Sequence, residues 1–352
     1  MKGKVADSGA TWYRWSPEHQ YSREGTLAPE VVAVTGGTGF IGSHLVHRLA
    51  TAGVGVRALA RRPADELPAP LRHPGVELVR GDVADADAVA HTVRGATVVY
   101  HLAGCAKAWT RDPNEYHAVN VRGTEAVCGA AAAAGVSRVV FVSTNLVEPA
   151  DDGTPRPLLT GYQRSKAEAE RRVRAHVERG LAAVIVRPGR VFGPGPLTQA
   201  NSVTLLIHQY RRGLFRTRLA DGGARANWVF VGDVVEGLLR AASAGRAGAA
   251  YMLGGANLSV AEFLQVVADV TGRARIVVPL PIPFARLVAG IAETAARFGG
   301  TPFITRDWVD LFARDWPSSS ALAERDLGYA PRPLRDGIAA TVRWLESGAD
   351  PW

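Results

Sequence analysis

From residue 30 onward, short runs of β-branched and apolar residues alternate with longer stretches of helical periodicity. The strand-like runs are 31–34, 54–59, 76–79, 97–101, 138–142 and 183–187, and helical patterns occupy 41–52, 85–94, 115–134 and 162–178 between them. Strands buried on both faces read as continuous apolar runs. Their regular alternation with helices therefore predicts an α/β fold, a doubly wound parallel sheet covered on both sides. After Gly189 the rhythm loosens. Strands are expected at 228–231 and 250–253. Helices are expected at 203–211, from Asp233 as an N-cap, and at 260–271, 284–298, 306–312, 321–326 and 334–346. The pattern divides the chain into an arm (1–29), a sheet domain (30–190, with 227–250 returning to it) and a smaller, mostly helical C-terminal region (191–226 and 251–352) that forms a lid.

Composition narrows the classes. The 352 residues are 47% hydrophobic, ample for a real core, and the formal charge is +8. That charge by itself suggests nucleic acid or a membrane surface. Only Lys2, Lys4, Lys107 and Lys166 among the 41 cations are lysine, and no basic block stands out. The charge thus reads as an arginine-rich habit of composition, and no nucleic-acid partner is expected. Cys105 and Cys128 form neither a disulfide framework nor a metal spacing, which fits a reducing cytoplasm and no metal. The most apolar segment, 276–298, holds three prolines plus Arg286, Glu293 and Arg297. It reads as strand, turn and amphipathic helix, so no stable membrane insertion is expected and only monotopic contact stays open. Residues 1–29 lack the apolar region of a secretory signal but carry Trp12, Tyr13, Trp15 and Tyr21. They form either a flexible arm or one that packs on the domain or a partner.

The first strand runs into Gly36-Gly37-Thr38-Gly39-Phe40-Ile41-Gly42, a glycine turn opening a helix. Gly37, Gly39 and Gly42 satisfy the dinucleotide fingerprint in its strand–helix context. Glycines there let backbone N–H groups approach a pyrophosphate, and the helix N-terminus adds a favourable dipole. About twenty residues on, the ribose-reading position offers Arg61 and Arg62 and no acid. Either arginine can pair with a 2′-phosphate, which favours NADP(H) over NAD(H). Both can equally be solvated surface residues. Asp82, after the third strand, is placed to meet an adenine amino group or to cap a helix.

Tyr162 and Lys166 lie four apart on one predicted helix face. An ammonium beside a phenol stabilises phenolate and makes the tyrosine a better acid and base near neutrality. A chain that otherwise avoids lysine places one here. Upstream, Ser143 and Thr144 end a buried strand at the sheet's carboxyl edge, where ligands bind in open α/β sheets. Either hydroxyl can hold a carbonyl against Tyr162 or serve as a turn cap.

Together these residues resemble the extended short-chain dehydrogenase/reductase family. The matching segments arrive in the family's order: 35–42, Asp82-Val83, 101–104, Asn120 with Gly123-Thr124, Ser143-Thr144, Tyr162 with Lys166, and 187–194. Segments 228–233 and 327–331 look like its second-half landmarks, and the likeness spans 30–348. The resemblance implies a Rossmann-type sheet and Tyr162 as acid/base with Lys166 as its pKa and ribose partner. Thr144 takes the hydroxyl position, with Ser143 in reserve. Gly36, Gly39, Phe40, Ile41, Gly42, Val83, Leu102, Ala103, Gly104, Pro188 and Val191 would line the cofactor. Asn120 looks structural. Cys105 faces the substrate or is a small packing residue.

Many members act on nucleotide-linked sugars and often carry Asn where this chain has Arg190. They often carry an Arg where this chain has Ala226, with Arg225 one place off. These departures, with Arg61, pull toward the dihydroflavonol reductase and 3β-hydroxysteroid dehydrogenase-like branch, with helix 284–298 as an apolar substrate wall. The expected activity is NADP(H)-dependent hydride transfer to or from a carbonyl or secondary alcohol of a fairly apolar small molecule. The alternatives are a sugar epimerase or dehydratase with tightly bound NAD, and an NADP-sensing protein without turnover. Dimerisation through the helices at 115–134 and 162–178 is what the resemblance implies.

Overall fold

The computed structural model describes residues 31–352 apart from Ala108, Asp151, Asp152 and Asp221. The expectations for the arm, 1–29, lie outside the described residues. The first half runs β1 (Val31–Thr35), α1 (Phe40–Thr51), β2 (Gly55–Ala60), β3 (Val76–Arg80), α2 (Ala86–Val93) and β4 (Val98–His101). A short turn of helix, α3 (Asn114–Tyr116), widens through π-type turns at His117–Arg122 into α4 (Gly123–Ala133). Then come β5 (Arg138–Val142), α5 (Gly161–Glu178) and β6 (Ala183–Pro188). The second half runs β7 (Arg190–Phe192), α6 (Ser202–Arg211), β8 (Thr217–Leu219), β9 (Arg225–Phe230), α7 (Val231–Ala244), β10 (Ala250–Leu253) and β11 (Ala256–Ser259). It closes with α8 (Val260–Thr271), β12 (Val278–Leu280), α9 (Ile282–Phe298), α10 (Arg306–Phe312), α11 (Ala321–Leu327) and α12 (Leu334–Ser347).

Among the described residues, seven strands form the main sheet in the order β10-β6-β5-β4-β1-β2-β3, every neighbouring pair parallel. The order reverses between β1 and β4, and a crevice opens there at the carboxyl ends of the strands. Side chains alternate across the sheet as the strand period requires. Val32 and Val34 of β1 join one core layer with Leu45 and Leu253, while Ala33 joins the other with Val99, Phe141 and Ile185. This is the Rossmann-type sheet that the strand–helix alternation predicts.

Two smaller sheets complete the lid: β11-β9-β7 and β12-β8. Their core is aromatic, with Trp228 stacked on Phe263 at 4.1 Å and Phe192 edge-on to Phe230. Phe40, at the start of α1, belongs to this lid core, so the lid is packed directly on the glycine-loop helix. The stretch expected to return to the main sheet, 227–250, does so through α7 and β10. Its first residues belong to β9 and stay with the small sheet.

Asp233 does not cap a helix: it lies in the first turn of α7 and receives hydrogen bonds from Arg332 Nε (2.8 Å) and the Arg332 backbone (3.1 Å). The helix expected at 115–134 is one path with a widened middle, and the reason is Asn120. Its amide holds both backbone groups of Cys105 (N 2.7 Å, O 3.1 Å) and reaches Ser165 Oγ (2.8 Å). Helix α9 also departs from expectation. It buries Ala285, Ala289 and Ala296 and turns Phe284, Leu287, Ile291 and Phe298 to solvent, so these side chains do not wall a substrate.

Candidate active site

The glycine loop is shaped by close approach. Gly36 has φ +75°, and a Cβ there would lie 2.4 Å from the Ala103 nitrogen; a Cβ on Gly42 would lie 2.1 Å from the Gly36 carbonyl oxygen. A Cβ on Gly37 would meet only the Val46 side chain, at 3.3 Å. Close approach thus enforces glycine at Gly36 and Gly42; at Gly39 an added Cβ would lie 3.2 Å from the Gly36 carbonyl oxygen, about as near as at Gly37. The first turn of α1 has no side-chain cap and no acid. Its free N–H groups and dipole end face the crevice beside Leu102, Ala103 and Gly104, an arrangement that fits a pyrophosphate. Leu102 and Ala103 are held by Thr35, through its carbonyl (3.0 Å) and hydroxyl (3.3 Å). His101 is fully buried between the Thr35 and Thr124 hydroxyls, at 2.6 and 3.0 Å. Burial, with Lys166 adding to it, lowers its pKa to about 3, so it stays neutral and structural.

At the outer rim, Arg61 follows β2, is largely exposed, and lies 3.6 Å from the Asp82 carboxylate. Arg62 is exposed beside it. Asp82 caps no helix: its Oδ1 accepts the Ala84 N–H at 2.9 Å in a tight turn, and Asp85 caps α2. Val83 is buried against Gly123, where an added Cβ would come within 2.8 Å of it. Ile41 and Val191 are partly buried between the sheet core and the lid core, and Pro188 is buried beside Leu253 of β10.

The catalytic candidates converge at the carboxyl end of β5. Thr160 and Gln163 form a reciprocal capping box that starts α5, so Tyr162 and Lys166 fall on its first turns. The Tyr162 phenol and the Thr144 side chain meet at this point. Burial is the larger influence on its phenol and pushes the pKa up to about 12; the Thr144 contact acts against it, and Cys105 adds to the rise. Thr144 Oγ1 also accepts the Leu146 N–H at 3.3 Å, so the turn-cap role is filled. Ser143 is buried next to Thr144, and its Oγ is sealed from solvent without a hydrogen-bond partner. Cys105 is buried beside Tyr162, and burial raises its thiol pKa.

Lys166 differs from the sequence expectation in its immediate partner. Its Nζ donates to the Val142 carbonyl at 2.6 Å and lies 4.2 Å from the centre of the Phe141 ring. Burial lowers its pKa to about 7 against the opposing pull of Glu170. Desolvation, rather than mutual attraction, therefore dominates both members of the pair in this state. The sequence reading missed Glu170 and its buried ion pair with Arg187, which ties α5 to β6. The signal was present, because Glu170 lies four residues beyond Lys166 on the same helix face.

Arg190 sits on β7 between two aromatic faces, 3.8 Å from the Phe312 ring centre and 5.2 Å from that of Trp228. Its Nη1 is sealed from solvent without a hydrogen-bond partner, and burial lowers its pKa to about 9. Nearby, a cleft of about 530 Å³ opens at the start of α5, lined among others by Trp109, Tyr116, Gly161 and Asp307. No group of His, Cys, Asp and Glu suited to a metal ion occurs among the described residues.

A model of the NAD dependent epimerase/dehydratase family matches residues 32–254, and the chain belongs to that family. It is an NAD(P)-dependent enzyme of the extended short-chain dehydrogenase/reductase type. A relative from Stigmatella aurantiaca, 4-hydroxy-2-methyl-3-oxo-4-farnesyl-3,4-dihydroquinoline-1-oxide ketoreductase, is 32% identical, covering 85% of this chain and 91% of its own. A 3 beta-hydroxysteroid dehydrogenase/Delta 5-->4-isomerase from Mycobacterium tuberculosis is also 32% identical, over 85% of this chain and 86% of its own. Among solved structures, MoeE5 in complex with UDP-glucose and NAD is 30% identical with a TM-score of 0.69, covering 91% of this chain and 99% of that one.

Proposed function

We propose that the protein is an NADP(H)-dependent oxidoreductase acting on a carbonyl or secondary alcohol of a fairly apolar small molecule. The observation that carries this reading is the meeting of Tyr162 with the Thr144 side chain at the carboxyl end of β5, with Lys166 one helical turn away. The bound nicotinamide cofactor supplies or accepts the hydride. In the reducing direction, Tyr162, held as a neutral phenol by burial, gives its proton to the substrate oxygen. Thr144 donates a hydrogen bond to the same oxygen and fixes its angle. Lys166, when charged, favours the phenolate left behind. The preference for the phosphorylated cofactor is supported by the exposed Arg61 at the end of β2 and by the lack of an acid at that position.

An apolar substrate is supported by the relatives named for farnesylated and steroid compounds. Arg190, with its unpartnered Nη1, is the residue to receive an oxygen of that substrate, and Cys105 lines the pocket beside Tyr162. A nucleotide-sugar substrate with NAD is the alternative that the MoeE5 likeness supports. Against it, Arg225 is already engaged, donating from Nη2 to the Asn257 carbonyl at 2.6 Å and standing 3.6 Å from Glu262. We take residues 30–190 with the α7–β10 return as the cofactor domain and the remainder of the second half as the lid. A homodimer is supported by the small residues Ala126, Gly129, Ala130 and Ala133 on accessible positions of α4, where a partner helix can approach closely. Two buried free thiols fit a cytoplasmic setting.

The test is a thermal-shift comparison of NADP(H), NAD(H) and UDP- or dTDP-sugars, followed by NADPH oxidation across a panel of apolar ketones. A melting shift with NADPH and turnover of a ketone are expected. A shift with nucleotide sugars and none with NADPH overturns the reading.

A further inference from the structure

The lid's longest helix has its apolar side outward. Phe284, Leu287, Ile291 and Phe298 of α9 are 54, 61, 63 and 91% exposed, while the buried positions hold alanine. A helix on the surface of a globular protein normally turns its large apolar residues to the core. Leu287, Ile291 and Phe298 recur at helical spacing along a groove of about 780 Å³. The neighbouring segments continue the pattern. Val278 of β12 and Ile276 before it are exposed, as is Leu214 ahead of β8, the partner strand. Apolar surface of this extent marks a docking face.

The charge around that face is mainly positive, and the acids beside it, Glu293 of α9 and Asp310, are each paired to an arginine. Segments 201–220 and 270–292, which run through β8, β12 and most of α9, hold seven arginines and no Asp or Glu. Arg275 joins the two segments by donating from Nη2 to the Arg211 carbonyl at 2.9 Å. Glu346 and Asp310 reach in from elsewhere to Arg211 and Arg286, while Arg212, Arg216 and Arg273 are exposed to solvent. An apolar stripe flanked by arginine suits the boundary between acyl chains and anionic headgroups.

We propose that this face seats the protein peripherally on an anionic lipid surface, with the α9 stripe entering the acyl boundary and the surrounding arginines meeting lipid phosphates. Two other occupants lack the charge for it. A second copy would bring the same positive field and repel. Residues 1–30 hold four basic and four acidic side chains and so offer no net complement. No described helix is long and apolar enough to cross a membrane, so the attachment is to the surface. The proposal uses none of the catalytic candidates and stands apart from the reading of the reaction.

The test is flotation of the full chain with vesicles of phosphatidylcholine alone and of phosphatidylcholine with phosphatidylglycerol. Binding is expected to the anionic vesicles only, with release as salt is raised. Leu287→Asp with Ile291→Asp should weaken binding by about tenfold or more, since each removes apolar area from the seat. Arg212→Ala and Arg273→Ala should weaken it by about fivefold each. An unchanged melting temperature and an unchanged cofactor-induced melting shift in each variant show that the fold is intact. No flotation with anionic vesicles overturns the proposal, as does flotation that the α9 variants leave unaltered. A solution dimer that the α9 variants split would assign the face to a second copy instead. Vesicle binding that appears only when residues 1–29 are deleted would assign it to the arm.

Discussion

Arg187 grips Glu170 with two parallel hydrogen bonds, Nε to Oε1 at 2.9 Å and Nη2 to Oε2 at 2.7 Å. The pair fastens α5 to β6, one turn beyond Lys166. Burial pushes the Glu170 carboxyl upward, but the hydrogen bonds and charge of Arg187 outweigh it and the net shift is downward. Removing one member of a buried pair leaves the other charge uncompensated. Glu170→Gln should therefore destabilise the fold by about 3 kcal/mol or more, read as a lower denaturant midpoint at unchanged slope. A change below about 0.5 kcal/mol would show that the pair adds nothing to holding α5 in place.

Tyr162→Phe removes the proposed proton donor and little volume. Turnover should fall by roughly 10²–10⁴ while the melting shift with cofactor persists. Full activity in this variant would move the acid/base role elsewhere.

Arg61→Ala should lower NADP(H) affinity by about tenfold and leave NAD(H) affinity nearly unchanged, because a charge-assisted hydrogen bond to phosphate is worth about 1.5 kcal/mol or more. Titration of both cofactors checks this; an unaltered preference would remove Arg61 from the cofactor site.

Gly42→Ala places a Cβ where the Gly36 carbonyl oxygen already stands, 2.1 Å away. The turn must open, and cofactor binding should be lost even if the fold survives. Gly37→Ala, whose Cβ meets only the Val46 side chain, should bind cofactor far better. Equal affinities in the two variants would contradict the spacing assigned to the loop.

Lys166 has a folded-state pKa lowered by burial to about 7 from an ordinary 10.5. Between those values the unfolded chain holds the proton and the folded one does not, so stability rises with pH. Without cofactor, the wild type should gain stability from pH 7 toward 10 relative to Lys166→Met, and the two should run parallel below pH 7. Denaturant melts of both proteins across that range check the sign; parallel curves throughout would mean that Lys166 is not desolvated.

Several features were legible because they are local. Strand–helix alternation follows from the apolar period and predicted the parallel sheet. The glycine turn and the four-residue spacing of Tyr162 and Lys166 depend on neighbours within one or two turns of chain. Strands β7 and β11, at three and four residues, are too short to show a period and owe their existence to pairing with β9. Asp233 was read as a cap and Asp82 as a cap or an adenine contact, yet Asp82 forms a tight turn and Asp233 is paired to an arginine 99 residues away. Sequence spacing shows that a cap is available but not which backbone or cation arrives first.

The sequence by itself determined the fold class, the glycine turn and the residue types offered for chemistry, since each is set by short-range periodicity and backbone sterics. Only the tertiary structure decided which glycines are indispensable, that Lys166 is turned to the Val142 carbonyl, and that α9 keeps its large side chains outside. Those outcomes depend on what distant segments bring to within a few ångströms, and on how much water they leave around each charge.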